Sequence, residues 1–228
     1  MLKTIAWKEC RELLPFIALA LLAEIYFVCN AIGTRLGALS DINVLRDLSY
    51  NTIPFINDFS CTLILITGGC FAVVVALWQT IWETSRGTFL FLLHRPVTRN
   101  AVIGTKLAVG VALCLLVCGG PLLYYTLWAA APGTHDSPFA WSMTIDDWFN
   151  FSLIPMVYLG AFISGLRHAH WFASRFFPIF AAVLVALLCQ SVWDSLPAWR
   201  IAVVAVSIAI EAAAVYVIFY LAKVRDYS

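Results

Sequence analysis

Charged side chains are scarce in this chain. Only 12% of its 228 residues are Asp, Glu, Lys or Arg, whereas 62% are hydrophobic. An average soluble domain is about 25% charged and roughly half apolar. The apolar residues form runs of about 20 residues, the length that an α-helix needs to cross a bilayer. The composition predicts an all-α integral membrane protein in contact with lipid, and a net charge of +1 leaves no basic field for nucleic acid.

Familiar catalytic and nucleotide-binding motifs are also missing. The sequence has no GxxxxGK(S/T) phosphate loop, no HExxH and no GxSxG. We therefore predict no catalytic residue and no bound ATP in this chain. The cysteines lie mostly within apolar runs, where cysteine packs as a small hydrophobic residue. Cys114 and Cys118 share a helix face, but no histidine lies within a turn of them, so we predict no metal site.

Six apolar segments are long enough to span a membrane, and no soluble domain separates them. We therefore interpret residues 1–228 as a single transmembrane domain. The predicted spans are residues 13–33, 59–80, 101–130, 148–166, 176–195 and 200–222. We expect the third span to kink near Gly119-Gly120-Pro121, and the fifth and sixth to form a tight hairpin at Pro197.

The positions of Lys and Arg predict the orientation of these spans. Eleven of them fall at the two ends of the chain and in the second and fourth connections, counting Lys106 with the second connection. Only three fall in the first, third and fifth connections. Positive residues concentrate on the cytoplasmic side of membrane proteins. We therefore predict a multi-pass protein of the inner (cytoplasmic) membrane with both termini in the cytoplasm.

The first twelve residues mix polar and apolar side chains with a roughly helical spacing. Leu2, Ile5 and Trp7 alternate with charged residues, and Pro15 follows shortly afterwards. Such a pattern is typical of a helix that lies on the membrane surface. We predict a short interfacial helix before Pro15 and a separate first span after it.

The connection between the second and third spans combines features that a simple basic loop does not need. Gly87 permits a bend, and Phe89–Leu93 provides about one and a half turns of apolar helix, too short to span. Pro96 then forces a turn. We predict a short amphipathic helix here, lying parallel to the membrane and docking a partner. A basic loop that only fixes topology is the alternative, and it does not account for the apolar segment.

Charges and a helix start complete this connection. Arg86, Arg95 and Arg99 flank the short apolar segment, and Thr98 or Asn100 is suited to cap the third span. The whole pattern reads Glu83-x-x-x-Gly87-Thr88-x-x-x-Leu92-Leu93-x-Arg95-Pro96-Val97-Thr98-Arg99, followed by Lys106.

This pattern resembles the permease subunits of ABC-2-type ABC transporters. In that family a Glu, a Gly-Thr, a pair of leucines and a Pro-Val-Ser/Thr-Arg sequence recur between the second and third of six spans. The six-span layout, the cytoplasmic termini and the N-terminal surface helix also fit. The resemblance covers the whole chain in architecture, but its motif covers only about 25 residues.

The resemblance implies that this connection is the coupling helix that docks a separate ATP-binding cassette ATPase subunit, which would bind ATP and Mg. It also implies a second permease copy, either identical or related, and transport as an exporter. The partner-coupling residues that it indicates are Glu83, Arg86, Gly87, Thr88, Arg95, Pro96 and Arg99.

Two carboxylates, Glu24 and Glu211, fall inside predicted spans. Because the bilayer penalises charge, an ionisable residue in a span is a candidate for a translocation path or for gating. Structural pairing with a polar group such as Asn30 or Gln190 is the alternative. A stand-alone secondary carrier or channel built around these two carboxylates is the alternative function for the whole chain.

A third function is a membrane enzyme that acts on lipid. Asp146, Asp147 and His135 lie in the third connection, and carboxylates with a histidine can perform acid–base chemistry. Their spacing matches no catalytic motif, and a solvated interfacial loop is the simpler interpretation.

Overall fold

The computed structural model describes residues 2–32, 53–56, 59–82, 98–135, 137–167 and 172–224. All regular secondary structure within these residues is helical, as predicted. The coupling helix predicted within residues 83–99 lies outside the described residues except for its last two positions.

The described α-helices are α1 (Leu2–Ala31), α2 (Phe59–Leu77), α3 (Arg99–Ala130), α4 (Ile145–Ser152), α5 (Ile154–Leu166), α6 (Phe172–Ser195) and α7 (Arg200–Val224). A π-helix, Trp78–Trp82, continues directly from α2. Short 3-10 helices, Trp141–Thr144 and Pro197–Trp199, precede α4 and α7.

Within the described residues, six helical segments are long and apolar enough to cross a membrane. They are Leu2–Ala31, Cys61–Trp82, Arg99–Ala130, Trp141–Leu166, Ser174–Ser195 and Pro197–Val224. Each overlaps one of the six predicted spans, so the prediction of six apolar spans is confirmed.

The first span differs from the prediction. Residues 2–31 form one helix, with Pro15 inside it, rather than a separate surface helix and span. Proline removes a single backbone hydrogen bond from a helix, and apolar helices tolerate this where neighbouring groups compensate. The third span continues as one helix through Pro121. The kink expected near Gly119-Gly120-Pro121 stays a prediction.

Proline does mark a boundary in the fourth span. Leu153 is a turn residue between α4 and α5, and Pro155 occupies the first turn of α5. That position suits proline because the N–H groups of a first helical turn have no partner within the helix. Asp146 and Asp147 lie in the first turn of α4, where negative charge is favourable.

The chain divides into two compact units. One comprises residues 1–14, 72–112 and 153–228, and α5 is its most buried helix. In this unit α5 packs against α6, α7 and the π-helix. α6 and α7 form the predicted tight hairpin, in which the guanidinium of Arg200 lies 4.7 Å from the ring centroid of Trp193.

The other unit comprises residues 15–71 and 113–152. Its core is a set of buried apolar and aromatic residues from α1, α2 and α3 together with Phe55. The ring of Phe55 packs against that of Tyr125, with centroids 4.7 Å apart. Tyr125 in turn stacks on Trp128 at 5.9 Å.

Candidate functional site: a buried polar cluster

Four polar side chains meet in the interior of the first unit. They are Glu9 on α1, Gln79 in the π-helix, Lys106 on α3 and Tyr158 on α5, which we call the polar cluster. Each is at most 2% exposed. The π-helix directly precedes residues 83–97 and α3 follows them closely, so the cluster joins the two elements that bound the predicted coupling connection.

An ion pair between Glu9 and Lys106 is the centre of the cluster. The ammonium of Lys106 donates to Glu9 Oε1 at 2.7 Å, and 97 positions of sequence separate the two residues. Burying two charges costs several kcal/mol per ion, and only close contact with further hydrogen bonds compensates for this. Lys106 Nζ also donates to the backbone carbonyl of Gln79 at 3.4 Å.

Gln79 links this pair to α5. Its Nε2 donates to the carbonyl of Lys106 at 3.3 Å, while its Oε1 accepts a hydrogen bond of 2.7 Å from the hydroxyl of Tyr158. The Tyr158 hydroxyl is also 3.4 Å from the Lys106 carbonyl. Gln79 and Lys106 therefore each use both the side chain and the backbone carbonyl, and buried polar groups are generally hydrogen-bonded in this way.

The π-helix presents Gln79 and Thr80 to the interior. Such wide helical turns are rare and are often found at functional sites. Trp78 and Trp82 stack at its ends with ring centroids 4.5 Å apart and an interplanar angle of 18°. Aromatic pairs of this kind make a modest favourable contribution.

Glycines allow the close approach that the cluster needs. A methyl group on Gly110 of α3 would overlap the hydroxyl and ring of Tyr158. A methyl group on Gly165 of α5 would overlap the side chain of Thr80. The first glycine admits Tyr158 beside α3, and the second admits the π-helix beside α5.

Most of the predicted coupling residues lie outside the described part of the chain. These are Glu83, Arg86, Gly87, Thr88, Arg95 and Pro96. Thr98 directly precedes α3, and its carbonyl accepts the N–H groups of Ala101 at 2.9 Å and Val102 at 3.2 Å. It is therefore the N-cap residue, one of the two predicted for this helix. Arg99, the first residue of α3, is exposed.

The prediction that counted Lys106 among the basic residues of the second connection is wrong. Lys106 lies two turns into α3 and is fully buried against Glu9. Sequence reasoning missed the cluster, although one signal was available. Gln79 and Lys106 are polar residues inside predicted spans, and such residues face protein partners rather than lipid.

The two predicted mid-span carboxylates have different surroundings. Glu24 on α1 is fully buried and lies next to the thiol of Cys118, but neither carboxylate oxygen makes a hydrogen bond of ordinary geometry with a described residue. Glu211 on α7 is half-buried, and its Oε1 likewise has no hydrogen-bond partner in the described ranges. No hydrogen bond from either carboxylate to Asn30 or Gln190, the partners considered in the alternative interpretation, is found among the described residues.

His135 has a local structural role. Its Nε2 lies 2.8 Å from the carbonyl of Ala129 in the last turn of α3, and its Nδ1 lies 3.1 Å from Ser137 Oγ. Both ring nitrogens are therefore engaged near the end of α3. Within the described ranges no three His, Cys, Asp or Glu side chains are placed to hold a metal ion.

Comparison with known proteins gives no relative. No model of a protein family, no curated protein and no solved structure matches this chain. The cluster and the sequence pattern beside it are therefore the basis for a functional proposal.

Proposed function

We propose that this chain is the membrane-spanning permease subunit of an ATP-driven exporter of the ABC-2 type. A separate ATPase subunit would dock on the connection Glu83–Arg99 and bind ATP and Mg. A second permease copy would complete the transporter. Both termini and this connection would lie on the cytoplasmic side of the inner membrane.

The observation that carries the proposal is the position of the connection pattern relative to the polar cluster. Residues 83–97 join two apolar helices that are linked by buried hydrogen bonds between Gln79, at the end of one, and Lys106, two turns into the other. A segment that receives force from a partner must be attached firmly, because a loosely attached loop would absorb the displacement. A loop that serves only as a topological signal has no such requirement.

Co-purification tests this proposal. The chain is tagged, expressed with its neighbouring genes and extracted in detergent, and we expect an ATP-binding protein to be recovered with it. Glu83→Lys should reduce that recovery at least about tenfold, because reversing one charge in a complementary interface is strongly unfavourable. Glu12→Lys is the matched control, since Glu12 is an exposed acid in the N-terminal part of α1.

Recovery of no ATPase by the unchanged chain, under conditions where all neighbouring genes are expressed, would refute the proposal. Equal recovery of the ATPase by Glu83→Lys and by the unchanged chain would refute only the role assigned to Glu83, not the proposed function. Membrane insertion of both variants is checked by fractionation, so that loss of the protein is not mistaken for loss of binding.

The secondary carrier is the second candidate, because Glu24 is a fully buried carboxyl group without a hydrogen bond of ordinary geometry to a described residue. Intramembrane carboxylates of this kind occur on ion and proton paths. Transport by the purified chain alone in liposomes under an ion gradient, abolished by Glu24→Gln, would support this function instead.

A further inference from the structure

The Glu9–Lys106 ion pair is a poor way to gain stability. Replacement of buried ion pairs by apolar residues of similar volume is often neutral or stabilising, and their best-attested use is to specify one register between helices. Lys106 has no exposed surface and Glu9 is 2% exposed, so this pair is in that class. A pair of this class is suited to select one alignment of α1 against α3.

Two successive contacts of the cluster link α1 to Gln79, which lies shortly before the connection in sequence. Glu9 contacts Lys106, and Lys106 contacts the backbone of Gln79, four residues before Glu83. Gln79 then contacts Tyr158 near the start of α5. The first three turns of α1 therefore share one hydrogen-bonded system with both elements that bound residues 83–97.

We propose that Glu9 and Lys106 are positioning residues that fix the base of the coupling connection, so that the N-terminal turns of α1 belong to the coupling apparatus. This inference rests on the proposed function for its consequence, transmission from the ATPase. Its structural part, the positioning of α1 and the π-helix, stands independently of that function. Neither residue is expected to contact ATP or the transported molecule.

Hydrogen exchange measured by mass spectrometry on the full chain in lipid nanodiscs tests the structural part. Glu9→Gln and Lys106→Met should each raise amide exchange in residues 2–12 and 78–82 by roughly tenfold or more, because exchange follows local opening. Exchange in α7 should not change. The charge exchange Glu9→Lys with Lys106→Glu should return both segments towards the original rates.

Lys8→Met is the matched control. It removes an ion pair on the same helix, Lys8–Glu12 at 3.6 Å, whose side chains are 33% and 40% exposed. Exposed pairs contribute little, so this variant should leave exchange unchanged. Unchanged exchange in both cluster variants would overturn the positioning role, and equal rises across the whole chain would assign the pair to general stability instead.

ATP turnover of the co-purified complex tests the consequence. Both single variants should still recover the ATPase, because the connection itself is unaltered. The effect of the chain on turnover by the ATPase should fall about fivefold or more, and the charge exchange should restore it. Normal ATP turnover despite faster local hydrogen exchange would overturn the coupling role. Failure of the unchanged chain to bind any ATPase would refute the proposed function. In that case the hydrogen-exchange experiment would still test the positioning role.

Discussion

Gly110→Ala is the most direct perturbation of the polar cluster. The added methyl group would overlap Tyr158 at its hydroxyl oxygen and at two ring carbons. The ring is fully buried, and the overlap requires Tyr158 to move away from α3. This movement breaks its 2.7 Å hydrogen bond to Gln79.

Three effects set the magnitude. Overpacking of a dense core typically costs about 1–3 kcal/mol. A buried amide left without its partner costs about 1–3 kcal/mol more. Alanine improves helix propensity over glycine by up to about 1 kcal/mol, which opposes both. We expect a net destabilisation of about 2–4 kcal/mol, which for a chain of this size lowers the melting temperature by about 5–15 °C.

Thermal unfolding of the purified chain in one detergent, followed by near-ultraviolet circular dichroism, measures this change. Gly120→Ala is the matched control, because it lies on the same helix and nothing lies within 4 Å of the added methyl group. We expect this control to be neutral or slightly stabilising. Equal effects of the two substitutions would refute the close packing of Tyr158 against Gly110.

A double-mutant cycle with Tyr158→Ala separates overlap from a general effect on α3. Once the ring is removed, the alanine at position 110 has nothing to overlap, so its cost should largely disappear. The two changes should therefore be non-additive by more than about 1 kcal/mol, as expected for residues in contact. Additive costs would mean that position 110 acts through something other than Tyr158.

Two further substitutions test packing elsewhere, both by the same unfolding measurement. Gly160→Ala should destabilise at least as much as Gly110→Ala, because its methyl group would overlap Ala182 and come within 2.8 Å of the carbonyl oxygen of Pro178. Ala182→Gly should restore only part of this loss, and full restoration would show that the backbone contact is unimportant. His135→Ala should cost about 0.5–1.5 kcal/mol through its hydrogen bond to Ala129. Loss of ATPase recovery in His135→Ala would contradict its purely local role.

The spans could be predicted from sequence because the length and hydrophobicity of each apolar run are enough to indicate a helix in lipid. An apolar run about 20 residues long satisfies its backbone only as a helix in lipid, whatever its neighbours are. The sixth predicted span, 200–222, differs from α7 by two residues. The predicted break at Pro15 is wrong because the effect of a proline on a helix depends on the groups packed around it, which the local sequence does not reveal.

The polar cluster could not be predicted in the same way. Glu9 and Lys106 are separated by 97 positions, and no local pattern records which distant residue a buried charge will meet. The π-helix takes part in the same tertiary packing, because Gln79 hydrogen-bonds to α3 and α5 and Thr80 packs against Gly165 of α5. Sequence can identify a polar residue within a span, but the identity of its partner comes from the packing.

The cluster also changes what variants of the connection can reveal. If the ATPase docks on residues 83–97, changes there should weaken binding, as proposed for Glu83→Lys. Changes at Glu9 or Lys106 leave that surface intact and alter only how it is attached to α1, α3 and α5. Variants of the connection should therefore lose recovery of the ATPase. Variants at Glu9 or Lys106 should keep that recovery but show reduced coupling. A common phenotype for both classes would mean that the cluster and the connection form one binding surface rather than a surface and its support.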